Sequence, residues 1–171
     1  MASDSITLYK LIILYTLEKA GQDLPLPMVS DYITGQGYTN YFTVQNAFGE
    51  LLQAGMIQEN STYHTTYYSI TETGKETLSL FGQPLSPEIR SEIEDYLREK
   101  KIEIINETSL VCDYTSNSRG YYIATCNLME GNNIIFQTKL EVASEAEAIQ
   151  VCEKWQEKSQ DIYQFVLTNL L

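Results

Sequence analysis

Thr43, Gln45, Asn46 and Gln53 are the residues whose types and spacing most invite a chemical reading. They are left outward on a helical segment once Tyr41, Val44, Phe48, Leu51 and Leu52, recurring at three and four, are turned to the core. Asn and Gln amides can bond an adenine edge bidentately, and a threonine can touch a base, a thymine methyl or a phosphate. An ordinary solvated helix face has the same composition. The candidate DNA surface extends to Tyr38, Thr39, Asn40 and Tyr41 at the start of that helix, and to Tyr63, His64 and Tyr67 in the hairpin that follows. Neither the helix nor the hairpin carries a lysine or arginine.

Charge limits what such a surface can do. The chain carries 23 acidic and 11 basic side chains, a formal net charge of −12. Up to Gly82 the cations are Lys10, Lys19 and Lys75, against eight carboxylates; the remainder holds eight cations against fifteen. The basic footprint usual in nucleic-acid modules is absent from both halves. With three lysines, at most about three phosphates are neutralised, so duplex affinity is expected to be modest and to fall only shallowly with salt. Neutral donors, the tyrosine hydroxyls and helix N-terminal amides, would hold the remaining phosphates.

The elements that position these residues follow from periodicity and caps. Ser5 or Asp4 is expected to cap a first helix bearing Leu8, Leu11, Ile12, Leu14 and Tyr15, ended by Gly21. Leu24-Pro25-Leu26-Pro27 forces an extended segment, and Pro27 opens a short second helix through Met28, Val29, Tyr32 and Ile33. Thr39 or Asn40 caps the third helix, and Gly55 closes it. Met56–Gln58 and Tyr63–Ile70 read as hairpin strands, the even positions Thr66, Tyr68 and Ile70 facing inward, and Thr71 opens another helix. This order is the winged helix-turn-helix pattern.

After Gly82-Gln83-Pro84-Leu85, Ser86-Pro87-Glu88 starts a helix with the stripe Ile89, Ile93, Tyr96 and Leu97. Strands are expected over Ile102–Ile105, Ser109–Tyr114, Tyr121–Met129 and Ile134–Val142, in an antiparallel meander. Ser144 and Glu147 form a capping box for a last helix that reaches roughly 40 Å if Ser159 does not divide it. The fold class is therefore α+β: a winged helix-turn-helix domain over 1–82, then helix, four-stranded antiparallel sheet and long helix over 86–171, a dimerisation or effector domain.

Other candidate sites have plainer alternatives. Tyr114, Tyr122 and Trp155, with Tyr121 nearby, could line an effector pocket, although a tryptophan between helix and sheet is ordinarily a core anchor. His64 could reach a minor groove or could be a solvated turn neighbour. Cys112, Cys126 and Cys152, 14 and 26 positions apart, lack metal-ligand spacing and read as free buried thiols of a reducing cytoplasm. The acidic runs at Glu92–Asp95 and Glu145–Glu147 read as solvated helix starts. No phosphate-cradling glycine motif, metal-binding histidine pair or nucleophile–base set points to catalysis, and no metal or cofactor is expected. No apolar run is long enough to span a bilayer and no leader pattern is visible, so a cytoplasmic protein is expected.

Leu8–Tyr15, Tyr38–Gln45 and Thr71–Leu78, together with Cys152, Trp155 and Tyr163, resemble an uncharacterised bacterial family catalogued as domain of unknown function 4364. The resemblance spans nearly the whole chain. It implies a winged-helix N-terminal half and a Gram-positive source, and brings no activity or ligand residues with it. The N-terminal half is also similar to small bacterial winged-helix repressors. The expectation is a homodimeric, non-enzymatic transcriptional regulator whose partner is DNA; the alternative is an acidic winged-helix module that binds protein instead.

Overall fold

Seven consecutive residues, Leu11 to Leu17, are all buried, which a helix achieves only when neighbours surround it. In a computed structural model, which describes residues 2–171 with side chains from Ser5 onward, this run lies in α1 (Ala2–Ala20). The helix begins before Ser5, so Asp4 and Ser5 lie inside its first turns rather than capping it. Gly21 ends it with a φ of 65°, a left-handed conformation that glycine adopts without strain. The prolines then do as expected: β1 (Leu24–Pro25) is a two-residue strand, and α2 (Leu26–Gly35) follows with proline in its first turn.

Asn40 caps α3 (Tyr41–Gln53), its Oδ1 accepting from the Thr43 amide at 3.0 Å. Next come β2 (Ile57–Ser61), β3 (Thr66–Ile70) and α4 (Glu72–Phe81). The first sheet is antiparallel with order β1-β3-β2. Thr71 is its knot. The Thr71 hydroxyl donates to the Gly55 carbonyl at 2.6 Å, its amide to the Met56 carbonyl at 3.1 Å, and its Oγ1 accepts from the Gly74 amide at 3.2 Å. Gly74 must be glycine for that closeness, since a Cβ there would stand 2.1 Å from the Met56 oxygen. Ser86 caps α5 (Pro87–Glu99) through the Ile89 amide.

The chain divides into two compact units, one formed by residues up to Ser61 and Thr65–Ile104, the other by Thr62–His64 and Ile105–Leu171. The helix α5 thus packs within the first unit, where Ile93 is fully buried and the Tyr96 hydroxyl donates to the Met28 carbonyl at 2.8 Å. The expected strand Ile102–Ile105 is instead part of α6 (Lys101–Ser109). Its β-branched residues resemble a strand by type, but Ile104 alone is buried, while Ile102 and Ile105 are exposed. A Lys100–Glu103 ion pair supports the helical turn.

The second sheet accordingly has three strands, not four: β4 (Leu110–Ser116), β5 (Tyr122–Glu130) and β6 (Asn133–Val142), antiparallel in that order. Ser144 and Glu147 form the capping box of α7 (Glu145–Leu170), a single unbroken helix through Ser159. Its residues Cys152 and Trp155 meet Cys112, Cys126 and Leu128 of the sheet, and Ala148 is buried one turn earlier. Together the described residues form a mixed α+β chain with seven helices and two three-stranded antiparallel sheets.

Candidate nucleic-acid interface

Burial along α3 decides which of its polar residues can meet a partner. Val44, Ala47, Phe48 and Leu51 face the core. Phe42, Asn46, Gly49 and Gln53 are exposed and recur at four, three and four, so they form one outward stripe. Nothing lies within 4 Å of a Cβ built on Gly49, so the centre of the stripe is open. Phe42 is 81% exposed and Tyr41 53%, although Tyr41 was expected to face the core. Phe42 lies outside the set of expected contacts. Its spacing from Asn46 is the signal that would have found it.

The remaining expected contacts are partly committed elsewhere. Gln45 is half-buried, and its Nε2 is enclosed without a hydrogen-bond partner, so it does not share the outward stripe. Such an orphaned amide costs about 1–3 kcal/mol. Thr43 Oγ1 donates to Asn40 Oδ1 at 3.2 Å, so those two side chains close the cap on one another. Tyr38 is half-buried: its hydroxyl donates to Glu92 at 2.9 Å and its carbonyl accepts from Tyr9 at 2.7 Å. Burial, and then the bond to Glu92, hold the Tyr38 phenol above its ordinary pKa. Thr39 is half-buried beside it.

In the hairpin, Tyr67 is 5% exposed; it was expected to face outward, yet both it and Tyr68 are buried. Two-fold alternation fails because these two neighbouring positions, which point to opposite faces of β3, are both covered. Tyr63 and His64 group with the second unit. There the Tyr63 amide donates to Asp113 Oδ1 at 3.0 Å, and its ring lies 5.5 Å from that of Tyr114 and 4.6 Å from that of His64. His64 Nδ1 is 3.4 Å from Thr62 Oγ1.

The three lysines expected to serve phosphates all have carboxylate neighbours. Lys10 is paired with Glu50 of α3 itself. Lys75 pairs with Glu72 at 2.7 Å, and Lys19 lies 3.6 Å from Glu94. A phosphate would have to displace these carboxylates.

Trp155 does not open onto a pocket with Tyr114 and Tyr122. It is 2% exposed, stacks on Phe136 with centroids 6.1 Å apart, and donates from Nε1 to the Asn127 carbonyl at 3.0 Å. Tyr114 and Tyr122 meet edge to face at 6.1 Å, and the Tyr114 hydroxyl donates to Glu145 at 2.9 Å. A cleft of about 320 Å³ in the first unit is lined by Tyr15, Glu18, Ser79, Gln83 and Arg90. Its guanidinium is structural: Arg90 Nε and an Nη donate to the Leu85 and Gly82 carbonyls. Among the described residues no helix is long and apolar enough to cross a membrane, and no group of metal-ligating side chains has the geometry to hold an ion.

Comparison with curated proteins finds no match, and comparison with solved structures finds none. A family profile does match, over residues 9–170. That span takes in α3, the hairpin, the thiols and Trp155 alike, and the chain belongs to the family described as domain of unknown function DUF4364.

Proposed function

We propose that the chain is a non-enzymatic bacterial transcriptional regulator of the cytoplasm, whose first unit is a winged helix-turn-helix domain that reads duplex DNA with neutral side chains. The observation that carries this reading is the open stripe Phe42–Asn46–Gly49–Gln53 on the helix that follows the α2–α3 turn, ahead of a two-stranded hairpin. That is the helix such modules lay in the major groove. Asn46 and Gln53 supply base-bonding amides, and Gly49 between them leaves room for close approach. Two copies joined through their second units would set two such helices about 34 Å apart along the duplex. Ile162, Phe165 and Leu170, exposed along α7, support that pairing.

The test is selection of random duplexes at low salt. Enrichment of dyad-symmetric sequences, abolished by Asn46→Ala with Gln53→Ala at unchanged thermal stability, is the expected result. No enrichment, or enrichment that survives the double substitution, overturns the reading. A log–log salt slope much steeper than about −3 would place the contact surface elsewhere.

One observation favours a second reading, a protein-binding module. Lys10 is held by Glu50, and Phe42 is the most exposed aromatic side chain among the described residues. An exposed apolar anchor on a helix whose neighbouring lysine is already neutralised suits a protein groove better than a phosphate backbone. Loss of partner capture in Phe42→Ala, with no duplex selected by the unaltered chain, would decide for it.

A further inference from the structure

Cys112, Cys126 and Cys152 are far apart in the chain but converge in the second unit. Cys112 on β4 and Cys126 on β5 are directly opposed in the strand register, and Cys152 projects from α7 onto the same spot. The sulfur of Cys112 lies 2.8 Å from that of Cys126 and 2.7 Å from that of Cys152. All three thiols are free and 1% exposed, enclosed by Leu128 and Trp155. At these separations Cys112 stands inside van der Waals contact with each of its two neighbours. The sulfurs suit a bond to one another, whose length is about 2.05 Å.

We propose that these three cysteines form a peroxide-sensitive thiol–disulfide site in which Cys112 is the shared partner: oxidation closes one bond on Cys112 and leaves one thiol to move it. The chemistry balances with hydrogen peroxide as oxidant. The Cys126 thiolate attacks one peroxide oxygen, the O–O bond breaks, and the departing hydroxide takes the thiol proton to leave as water. The Cys112 sulfur, losing its proton, then attacks the sulfenyl sulfur of Cys126 and displaces a second water. Two thiols have given two electrons to one peroxide. Cys152 can attack the Cys112 sulfur in turn, releasing the Cys126 thiolate and transferring the bond from within the sheet to between sheet and helix, with no net oxidation.

The electrostatics of the same contact favour this direction of attack. Hydrogen bonding with Cys112 holds the Cys126 thiol below its ordinary pKa against the effect of burial. Bonding to Cys126, then burial, pushes Cys112 up, and burial raises Cys152. Cys126 is therefore the first nucleophile. The enclosure also selects the oxidant. A peroxide fits during brief opening, whereas a mixed disulfide with glutathione needs room that the packed sulfurs do not leave. The site stands apart from the DNA reading and survives its failure.

The test uses the full chain, reduced and then exposed to a few equivalents of hydrogen peroxide or to glutathione disulfide. Peroxide is expected to lower the mass by about 2 Da and block two of three thiols. Peptide mapping should find Cys112 in every bond, and Trp155, the one tryptophan of the chain, should report closure as a change in fluorescence. Glutathione disulfide should leave all three thiols free. Cys152→Ser should still form one bond at the parent's rate, Cys126→Ser one bond more slowly from Cys112 and Cys152, and Cys112→Ser none, yielding a dimedone-trappable sulfenic acid. Three intact thiols after peroxide, a bond between Cys126 and Cys152, or a glutathione adduct on the folded chain would overturn the proposal. The map of the unaltered chain decides the matter even if Cys112→Ser does not fold.

Discussion

The two cores are built differently. Around α1 the first unit buries twenty-one apolar side chains among the described residues, drawn from α1 to α6 and the first sheet. The second buries seven among the described residues, of which three are thiols and two are Ala124 and Ala148, with Leu128 and Trp155 completing the set. A large core spreads the loss of any one side chain over many neighbours. A thin helix-on-sheet layer cannot, so its stability rests on one indole and on what the sulfurs do. The unit with apolar packing to spare also presents the open recognition stripe, while the sparsely packed unit holds the reactive groups.

The comparison is broken most forcefully at Trp155. Trp155→Ala should cost the second unit about 3–5 kcal/mol. Amide exchange in β4 to β6 should accelerate while α1 stays protected; equal acceleration in both would show that the cores are not independent. Within the first unit, Gly74→Ala should cost about 1–3 kcal/mol, because the new methyl meets backbone at 2.1 Å rather than a side chain that can turn aside. A denaturant midpoint unchanged from that of the parent would refute the close approach.

Gly49 predicts the opposite sign. Its open surroundings mean that Gly49→Ala should stabilise the first unit by about 0.5–1 kcal/mol, read as a raised midpoint at constant slope. A loss of stability would mean that the stripe is not open. The smallest effect concerns Tyr15, whose phenol is pushed up to about 12 by burial and by its 2.6 Å hydrogen bond to Glu94. A tyrosine in the unfolded chain ionises near 10, so this contribution is complete below about pH 10 and is lost as pH rises toward 12. Tyr15→Phe should therefore flatten part of the alkaline fall in Tm between those values. An identical fall in the variant would discard the assignment.

Local chemistry was legible in the sequence and long-range placement was not. Asn40, Thr71, Ser86 and Ser144 act as caps because a cap depends on residues within three positions of itself. Ile102, Ile104 and Ile105 look like a strand by type, yet only a partner strand could have made them one, and a partner is not a local property. Gln45 and Gln53 are the same residue on the same helix, with different fates set by a rotation of about 80° about its axis. The thiols read correctly as free and buried. Their convergence depends on the β4–β5 register and the seat of α7, neither of which spacings of 14 and 26 reveal.

The last helix runs for 26 residues, about 39 Å, but its buried anchors Ala148, Cys152, Trp155 and Ser159 end well before its C-terminus. Beyond Tyr163, which packs on Phe136, Val166 and Leu167 are half-buried and the other side chains of the final two turns are exposed. Amide protons there should exchange orders of magnitude faster than those around Cys152. Whatever grips Phe165 and Leu170 would slow that exchange first in the last turns, making them a gauge of occupancy.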